Sequence, residues 1–411
     1  MVNMLYNWEY YMIFVRFLNL SSIQLIFMLY IRKEVIMVDL QQSRQEIDKI
    51  DKQIVELFEY RMQLAKDVAE YKIQTGKKVF DKEREEEKLN VLKELASNDF
   101  NRHGIQELFT QIMSMSRKLQ YGLISSGKGE LPLEEVEMLP ITDNTRVVCF
   151  GERGTYTDQA MEEYFGTNII SSHEPSFKKV MQAIKDGKAE YGVLPIENTS
   201  TGGISDIYDL LLEFDNYIIG EHVVKIEHAL LGLMDAKLED IKTVYSHPQP
   251  ILQCSKFLEQ HEKMKTVKYI STADSAIKVQ EDKDVTKGAI ASKRAAAYYG
   301  LKVLKEAINH EESNSTRFII ITSRKVFLKN SSKISICFEL PHESGSLYNM
   351  LSHIIYNNLN MSKIESRPLE GRNFEYRFFL DFEGNLNDPG VKNALVGIQE
   401  ETKAFRILGN Y

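Results

Sequence analysis

The sequence predicts a multidomain protein built from an all-α part, an α/β part and a smaller α+β part, in that order. Three observations predict it. From Leu40 to Gln120 there is almost no Gly or Pro, and apolar residues recur at helical spacing. From Arg146 to Arg324, strand-like runs alternate with helical stretches. From Lys333 to Tyr411, strands and helices alternate again in a shorter unit of roughly 80 residues.

The bulk properties fit this division. A chain of 411 residues exceeds one ordinary hydrophobic core. Hydrophobic residues make up 43% and charged residues 27%, an ordinary globular balance. The formal net charge is −8, so the chain lacks the basic footprint of a nucleic-acid binder. An acidic protein that handles anionic ligands must gather its cations locally. Cys149, Cys254 and Cys337 are far apart and form no CxxC pair, which argues against a disulfide framework or a zinc site.

The first 36 residues stand apart. Tyr10 to Ile31 is mostly apolar but is broken by Arg16, Asn19, Ser21, Ser22 and Gln24, a poor pattern for a membrane span. Glu9 precedes the apolar run and no small-residue cleavage site is clear, which argues against a secretory signal. We read residues 1–36 as an upstream extension, with the working protein beginning near Met37 and residing in the cytoplasm without a membrane partner. The alternative is a membrane anchor. The remaining expected divisions are 37–123 for the helical part, 124–144 for a linker bearing Gly127, Gly129, Pro132 and Pro140, 145–326 for the α/β part, and 331–411 for the last part.

In the helical part, Ile47, Ile50, Ile54, Leu57, Leu64 and Val68 define one continuous stripe. The spacing predicts a helix from Leu40 to about Gln74, ending at Gly76 and about 50 Å long. A domain of some 80 residues does not bury such a helix alone, so an intertwined homodimer, or a higher homo-oligomer, is expected. Arg61 interrupts the stripe, and Lys72, eleven residues on, shares its face. Arg44 lies further back. Each cation taken singly reads equally well as snorkelling or paired; three together on a buried stripe invite a small polyanion. Asp81-Lys82-Glu83-Arg84-Glu85 opens a second helix, and Ser116 and Gln120 are neighbours on a third.

This set, Arg44, Arg61-x10-Lys72, Asp81-x2-Arg84-Glu85 and Ser116-x3-Gln120, resembles the all-helical chorismate mutase family across Leu40 to Gln120. The resemblance implies active sites shared by two chains, with Arg44 reaching in from the other subunit. The implied reaction, chorismate to prephenate, is a pericyclic shift that needs no proton transfer, only a held conformer and stabilised charge on the ether oxygen. By the same resemblance, Arg44, Arg61 and Arg84 grip carboxylates. Lys72 and Gln120 donate to the ether oxygen, Glu85 accepts from the substrate hydroxyl, and Asp81 and Ser116 support the shell.

In the α/β part, polar clusters fall at the ends of apparent strands, where open α/β sheets bind ligands. Gly154-Thr155-Tyr156 follows the strand Arg146–Phe150. Pro195-Ile196-Glu197-Asn198-Thr199 follows Tyr191–Leu194. Ser246-His247-Pro248-Gln249 follows Val244-Tyr245, with Gln253 one turn on, and Thr316-Arg317-Phe318 opens the strand Ile319–Ile321. Singly each is loop chemistry: Asn198 before Gly202 reads as a turn device and His247 before Pro248 as a structural imidazole. Together, and in this order, they resemble prephenate dehydratase over Arg146 to Arg324. Glu152, where that family usually has proline, is a departure.

The resemblance implies two α/β lobes with a cleft, like a periplasmic binding protein, and conversion of prephenate to phenylpyruvate without a cofactor. It points to Thr316 beside the departing hydroxyl and to Arg317 as a carboxylate seat or a tuner of its surroundings. Asn198, Thr199, Ser246, Gln249 and Gln253 would line the cleft, with His247 a secondary candidate and Ser271 and Thr272 completing the lining. Threonine is a weak acid, so a polarising neighbour is required.

The last part reads as strand, helix, strand, strand, helix, strand, an α+β ferredoxin-like order. Gly345-Ser346-Leu347 and Glu365-Ser366-Arg367-Pro368 resemble the ACT regulatory domain, with Ser346 where that family usually has alanine. The implied effector is L-phenylalanine, bound near Gly345, Leu347, Glu365, Ser366, Arg367 and Pro368, and inhibiting by population shift. The rival from another class is a non-enzymatic ligand sensor; within enzymes, the rival substrate is arogenate. Turnover of chorismate to phenylpyruvate separates the first pair, and purified prephenate against arogenate the second.

Overall fold

The computed structural model describes residues 39–125, 133–311 and 313–411. The expected N-terminal extension lies outside the described residues, as does 126–132 of the expected linker. Two compact units divide the chain after Val68.

The first helix, α1, is continuous over Leu40–Thr75. Asp39 starts it, its Oδ1 accepting from the N–H groups of Gln41 (2.9 Å) and Gln42 (3.1 Å). Gly76, at φ +69°, stops it, as the spacing predicts. Up to Val68 its apolar stripe is uncovered: Ile47, Ile50, Ile54, Leu57, Leu64 and Val68 are each 45–68% exposed.

The second unit begins with α2, Lys82–Lys93, whose N-cap is Asp81, and α3, Asp99–Ser125. A three-residue strand, β1, Glu134–Val136, follows. It runs parallel to β13, Val326–Leu328, so the region read as linker is partly built into the fold. Two acidic residues and a valine carry no strand signal of their own; the partner, nearly two hundred residues away in sequence, supplies it.

The α/β part has two lobes. The first holds β2, Arg146–Phe150; α4, Tyr156–Phe165; β3, Ile170–Glu174; α5, Phe177–Lys185; β4, Tyr191–Asn198; β5, Gly202–Gly203; α6, Ser205–Glu213; and β6, Tyr217–Lys225. The second holds β7, Ala229–Gly232; β8, Thr243–Ser246; α7, Pro248–Gln253; α8, Ser255–Glu259; β9, Lys265–Lys268; α9, Thr272–Asp282; β10, Lys287–Ala291; α10, Lys293–Tyr299; and β11, Lys302–Lys305. Its sheet has the order β11-β7-β10-β8-β9. The chain crosses back in β12, Ser315–Thr322, which lies between β6 and β4 of the first lobe. The lobes are therefore joined by two crossings, 226–228 and 306–314.

The last part follows the expected order: β14, Lys333–Glu339; α11, Ser346–Tyr356; β15, Met361–Pro368; β16, Tyr376–Glu383; α12, Pro389–Glu401; and β17, Ala404–Asn410. It is not a free module. β17 pairs with β6 at Gly409 and Ile218, extending the first lobe's sheet into the order β15-β16-β14-β17-β6-β12-β4-β2-β3. A Cβ at Gly409 would lie 2.1 Å from the Ile218 carbonyl oxygen, so only glycine admits this pairing. One core cluster serves both parts: Leu194, Ile319 and Ile321 pack with Cys337, Phe379 and Leu408.

α3 packs against α11 and α12. Tyr121 is fully buried there, and Lys118 donates to Ser352 Oγ at 2.8 Å, with its ammonium 5.4 Å from the centre of the Tyr356 ring. Burial draws the Lys118 amine from 10.5 down to about 8. Between those values the folded state binds fewer protons than the unfolded chain, so this lysine adds stability as pH rises from about 8 to 10.5. Denaturant titrations of the wild type and Lys118→Met should therefore diverge over that window, with the wild type gaining relative to the variant; a constant difference would refute the assignment.

Candidate active sites

In both lobes of the α/β part, the carboxyl ends of parallel strands meet the start of a helix capped by a small side chain. Thr155 caps α4, Ser176 caps α5, Ser271 caps α9 and Ser292 caps α10. The lobes touch at these ends. Ser292 Oγ donates to the Gly154 carbonyl at 2.6 Å. Gly154 has φ +80°, and a Cβ there would meet Ala295 Cα at 2.8 Å, so the turn needs glycine for its conformation and for its neighbour.

A dense polar cluster lies where β4 and β12 run side by side into the junction. Asn198 Nδ2 donates to Thr316 Oγ1 (2.9 Å), to Asn314 Oδ1 (2.8 Å) and to the Ser315 carbonyl (3.1 Å). Ser200 fixes the other end of that amide, its Oγ donating to Asn198 Oδ1 at 2.6 Å. Gln253 of the second lobe reaches across, its Nε2 donating to Ser200 Oγ at 2.8 Å. Thr316 is nearly buried and its oxygen already accepts a bond, which leaves its own proton to be donated.

The other candidates are tied into the scaffold. Thr199 Oγ1 accepts from the Ser315 N–H at 3.0 Å, strapping β4 to β12. Ser246 is fully buried and donates to the Ile290 carbonyl at 2.8 Å. His247 caps α7, its Nδ1 facing the Gln249 N–H at 3.4 Å, and Gln249 is exposed on the first turn. Ser271 caps α9, with Thr272 its first residue. Thr199 thus shapes the end of β4 in the first lobe, and Ser246, His247 and Ser271 shape the strand ends of the second, the Ser246 proton being committed to the Ile290 carbonyl.

Arg317 is a larger correction. It follows Thr316 in β12, and successive side chains in a strand point to opposite faces. Its guanidinium meets Glu197 (3.0 Å), Glu221 (3.1 Å) and Asp381 of β16 (3.2 Å). Lys333 and Lys363 complete the cluster on Glu221 and Glu197. Burial works to raise the Glu197 carboxyl, but Lys363 and Arg317 outweigh it and hold it below its ordinary value. Arg317 thus joins the α/β part to the last part and does not face the Thr316 cluster.

In the helical part, Arg44 and Arg61 belong to the first compact unit, Arg44 exposed and Arg61 half-buried. The remaining candidates lie in the second unit. Lys72 Nζ donates to the Val79 carbonyl at 2.7 Å; burial draws it below the ordinary lysine value, against the opposing charges of Asp81, Glu400 and Glu85. Asp81 accepts from the Arg84 N–H at 3.2 Å, and the Arg84 side chain is exposed. Ser116 Oγ donates to the Ile112 carbonyl at 3.0 Å. Gln120 Oε1 is buried with no hydrogen-bond partner among the described residues. Glu85 meets Arg117 at 2.5 Å, and Arg117 meets Glu401 of α12 at 2.7 Å.

Residues 43–121 match the type II chorismate mutase family, and residues 147–326 match the prephenate dehydratase family. The bifunctional chorismate mutase/prephenate dehydratase of Buchnera aphidicola from Schizaphis graminum is 33% identical over 91% of this chain and 96% of its own length. The chain belongs to the bifunctional chorismate mutase/prephenate dehydratase family. The Escherichia coli K12 member is 31% identical, covering 90% of this chain and 95% of that one. A prephenate dehydratase from Arthrobacter aurescens, solved in complex with L-Phe, superimposes with a TM-score of 0.61 at 29% identity, covering 65% of this chain and 89% of that one. The protein is thus an enzyme with a mutase domain followed by a dehydratase domain. Among the described residues, no helix is long and apolar enough to cross a membrane.

The expected effector residues fall into two sets. Leu347 lines a cavity of about 160 Å³ with Leu340, Phe374, Tyr376 and Phe378, and Gly345, at φ +80°, starts the helix beside it. Ser366 and Pro368 are exposed on β15, opposite Phe378 and Tyr376 of β16. Glu365 and Arg367 alternate to the other face, where Arg367 pairs with Asp209 at 2.6 Å and Glu365 lies against Gly203. Sequence reasoning missed Ser200, Asn314, His228 and Arg117. Ser200 and Asn314 flank motif residues, so widening each motif by two positions would have found them. Arg117 lies inside the Ser116-x3-Gln120 motif and the same widening would have found it, whereas His228 carries no local signal.

Proposed function

We propose that the dehydratase chemistry is centred on Thr316, with Asn198 as the polarising neighbour. The supporting observation is the 2.9 Å bond from Asn198 Nδ2 to Thr316 Oγ1 at the junction of the lobes. A hydroxyl that accepts such a bond is a better donor. Prephenate loses its ring carboxylate as carbon dioxide, the freed electron pair enters the ring, and the ring hydroxyl departs. Thr316 donates toward that departing oxygen, which leaves as water once solvent supplies the proton. Gln249, on the first turn of α7, and Gln253, its last residue, would hold the substrate from the opposite side.

For the mutase, Lys72 and Gln120 serve as donors to the ether oxygen of chorismate, with Arg44, Arg61 and Arg84 for its carboxylates, Glu85 for its hydroxyl, and Asp81 and Ser116 in support. The Gln120 amide oxygen is buried with no partner among the described residues; with the two ends of the amide exchanged, the NH2 would take that place, which supports a ligand-facing donor role. The uncovered stripe of α1 supports a homodimer formed along this helix, because burying one such aliphatic side chain contributes about 1.5–3 kcal/mol. The residues 331–411 act as an ACT-type domain that takes L-phenylalanine at the cavity beside Gly345 and Leu347 and lowers activity, and the enzyme works in the cytoplasm.

A coupled assay on chorismate tests the whole reading. Lys72→Ala should abolish prephenate formation, a loss of at least about a hundredfold, while leaving prephenate turnover intact; Thr316→Ala should do the reverse, and L-phenylalanine should slow phenylpyruvate release. One substitution that removes both activities would overturn the two-site reading. Sedimentation of Ile54→Glu should show the dimer weakened; an unchanged dimer would place the interface elsewhere.

A further inference from the structure

α12 ends on two adjacent glutamates, Glu400 and Glu401, and no basic residue stands in its last turn. Carboxylates are disfavoured at a helix C-terminus, where the last carbonyls already present partial negative charge. Both side chains reach out of the C-terminal part for compensation. Glu400 Oε2 accepts from the N–H groups of Val79 and Phe80, each at 3.1 Å, and from the Tyr121 hydroxyl at 3.3 Å. Glu401 takes the guanidinium of Arg117 on α3, Oε1 lying 2.7 Å from Nε and Oε2 3.4 Å from Nη2, with His353 Nε2 of α11 also 3.2 Å from Oε1.

Each of these contacts is one step from a mutase candidate. The Phe80 N–H and the Val79 carbonyl belong to the same planar peptide group. Glu400 holds its hydrogen end, and Lys72 Nζ donates to its oxygen end at 2.7 Å. Fixing the N–H therefore aims the carbonyl, and a carboxylate on the N–H polarises the peptide so that the carbonyl accepts more strongly. An ammonium has three donors, so the bond to Val79 orients Lys72 and leaves two for a ligand. On the second route, the Arg117 fork joins Glu401 to Glu85, its Nη1 donating to Glu85 Oε2 at 2.5 Å. That fork is rigid and planar, so the end held by Glu401 sets the end that meets Glu85. The Arg117 and Glu401 side chains are only 7% and 8% exposed, which leaves water little room to replace either partner. The Phe80 ring lies 4.9 Å from the Arg117 guanidinium carbon, so the two routes brace each other.

We propose that Glu400 and Glu401 are positioning residues of the mutase: Glu400 aims Lys72 through the Val79–Phe80 peptide, and Glu401 aims Glu85 through Arg117, so that the last turn of the C-terminal part completes a site in the helical part. The inference rests on the reading of Lys72 and Glu85 as mutase residues.

Mutase and dehydratase kinetics of full-chain variants, measured on the same preparation, test it. Glu400→Leu should lower the mutase kcat on the order of tenfold. KM for chorismate should change by no more than about twofold, because charge on the ether oxygen develops only in the transition state. Dehydratase activity should stay at the wild-type rate. Glu400→Gln, which keeps an oxygen for the two N–H groups, should recover most of the mutase rate. Glu401→Gln should also slow the mutase alone, and in an Arg117→Met background it should have no further effect, because the group it acts through is gone. An unaffected mutase in Glu400→Leu, a parallel loss of both activities, or a glutamine variant as slow as leucine would overturn the proposal, as would full additivity of Glu401→Gln with Arg117→Met. Should Glu400→Leu fail to fold, Glu401→Gln decides: a slower mutase with the dehydratase intact supports the proposal, and an unchanged mutase overturns it. Lys72→Ala at the wild-type mutase rate would instead sink the underlying reading of the site.

Discussion

The pleat of a single strand organises this molecule. β12 carries Thr316 and Arg317 side by side, and a strand must send consecutive side chains to opposite faces. Thr316 turns to Asn198 and the junction of the lobes. Arg317 turns to Glu197, Glu221 and Asp381. The residue next to Thr316 in sequence thus becomes the tie between the dehydratase lobe and the C-terminal part. If it is removed, Asp381 loses its ion-pair partner while Glu197 and Glu221 keep Lys363 and Lys333, and breaking a buried pair in this way typically costs about 3–5 kcal/mol.

The same economy appears in the sheet. Because Gly409 lets β17 lie against β6, the C-terminal part and the first lobe share strands and a core. β14 and β16 are thereby joined to β12 through β17 and β6, with no intervening linker. A shared sheet and a shared charge cluster are the contacts through which the effector binding proposed above would bias one arrangement of both parts. On the mutase side, Arg117 plays a related part: burial works against its charge, but Glu401 and Glu85 more than offset this and raise it above the ordinary arginine value.

Much of this was legible in the sequence wherever the signal is local. The stripe from Ile47 to Val68 and the stop at Gly76 predict α1 to within a residue or so, and the alternation after Lys333 predicts all six C-terminal elements. The motifs singled out Asn198, Gln253 and Thr316, which hydrogen bonds link through Ser200 in the structure. What was illegible depends on partners distant in sequence. β1 is a strand only because Val326–Leu328 lies beside it. Arg317 read as a carboxylate seat or a tuner of its surroundings because Asp381, sixty-four residues on, leaves no trace beside it. His228 follows an unremarkable strand, and its ring partners are twenty-five and seventy-two residues away. The exposed face of α1 was read correctly as apolar, but a single chain does not identify what covers it.

The most direct test of the division of labour on β12 is the behaviour of Arg317→Met, measured by prephenate kinetics and urea unfolding on the same preparation. The account predicts a lower unfolding midpoint with KM for prephenate changed by no more than about twofold. A KM raised about a hundredfold with the midpoint unmoved would show that the guanidinium grips substrate after all, and would contradict it.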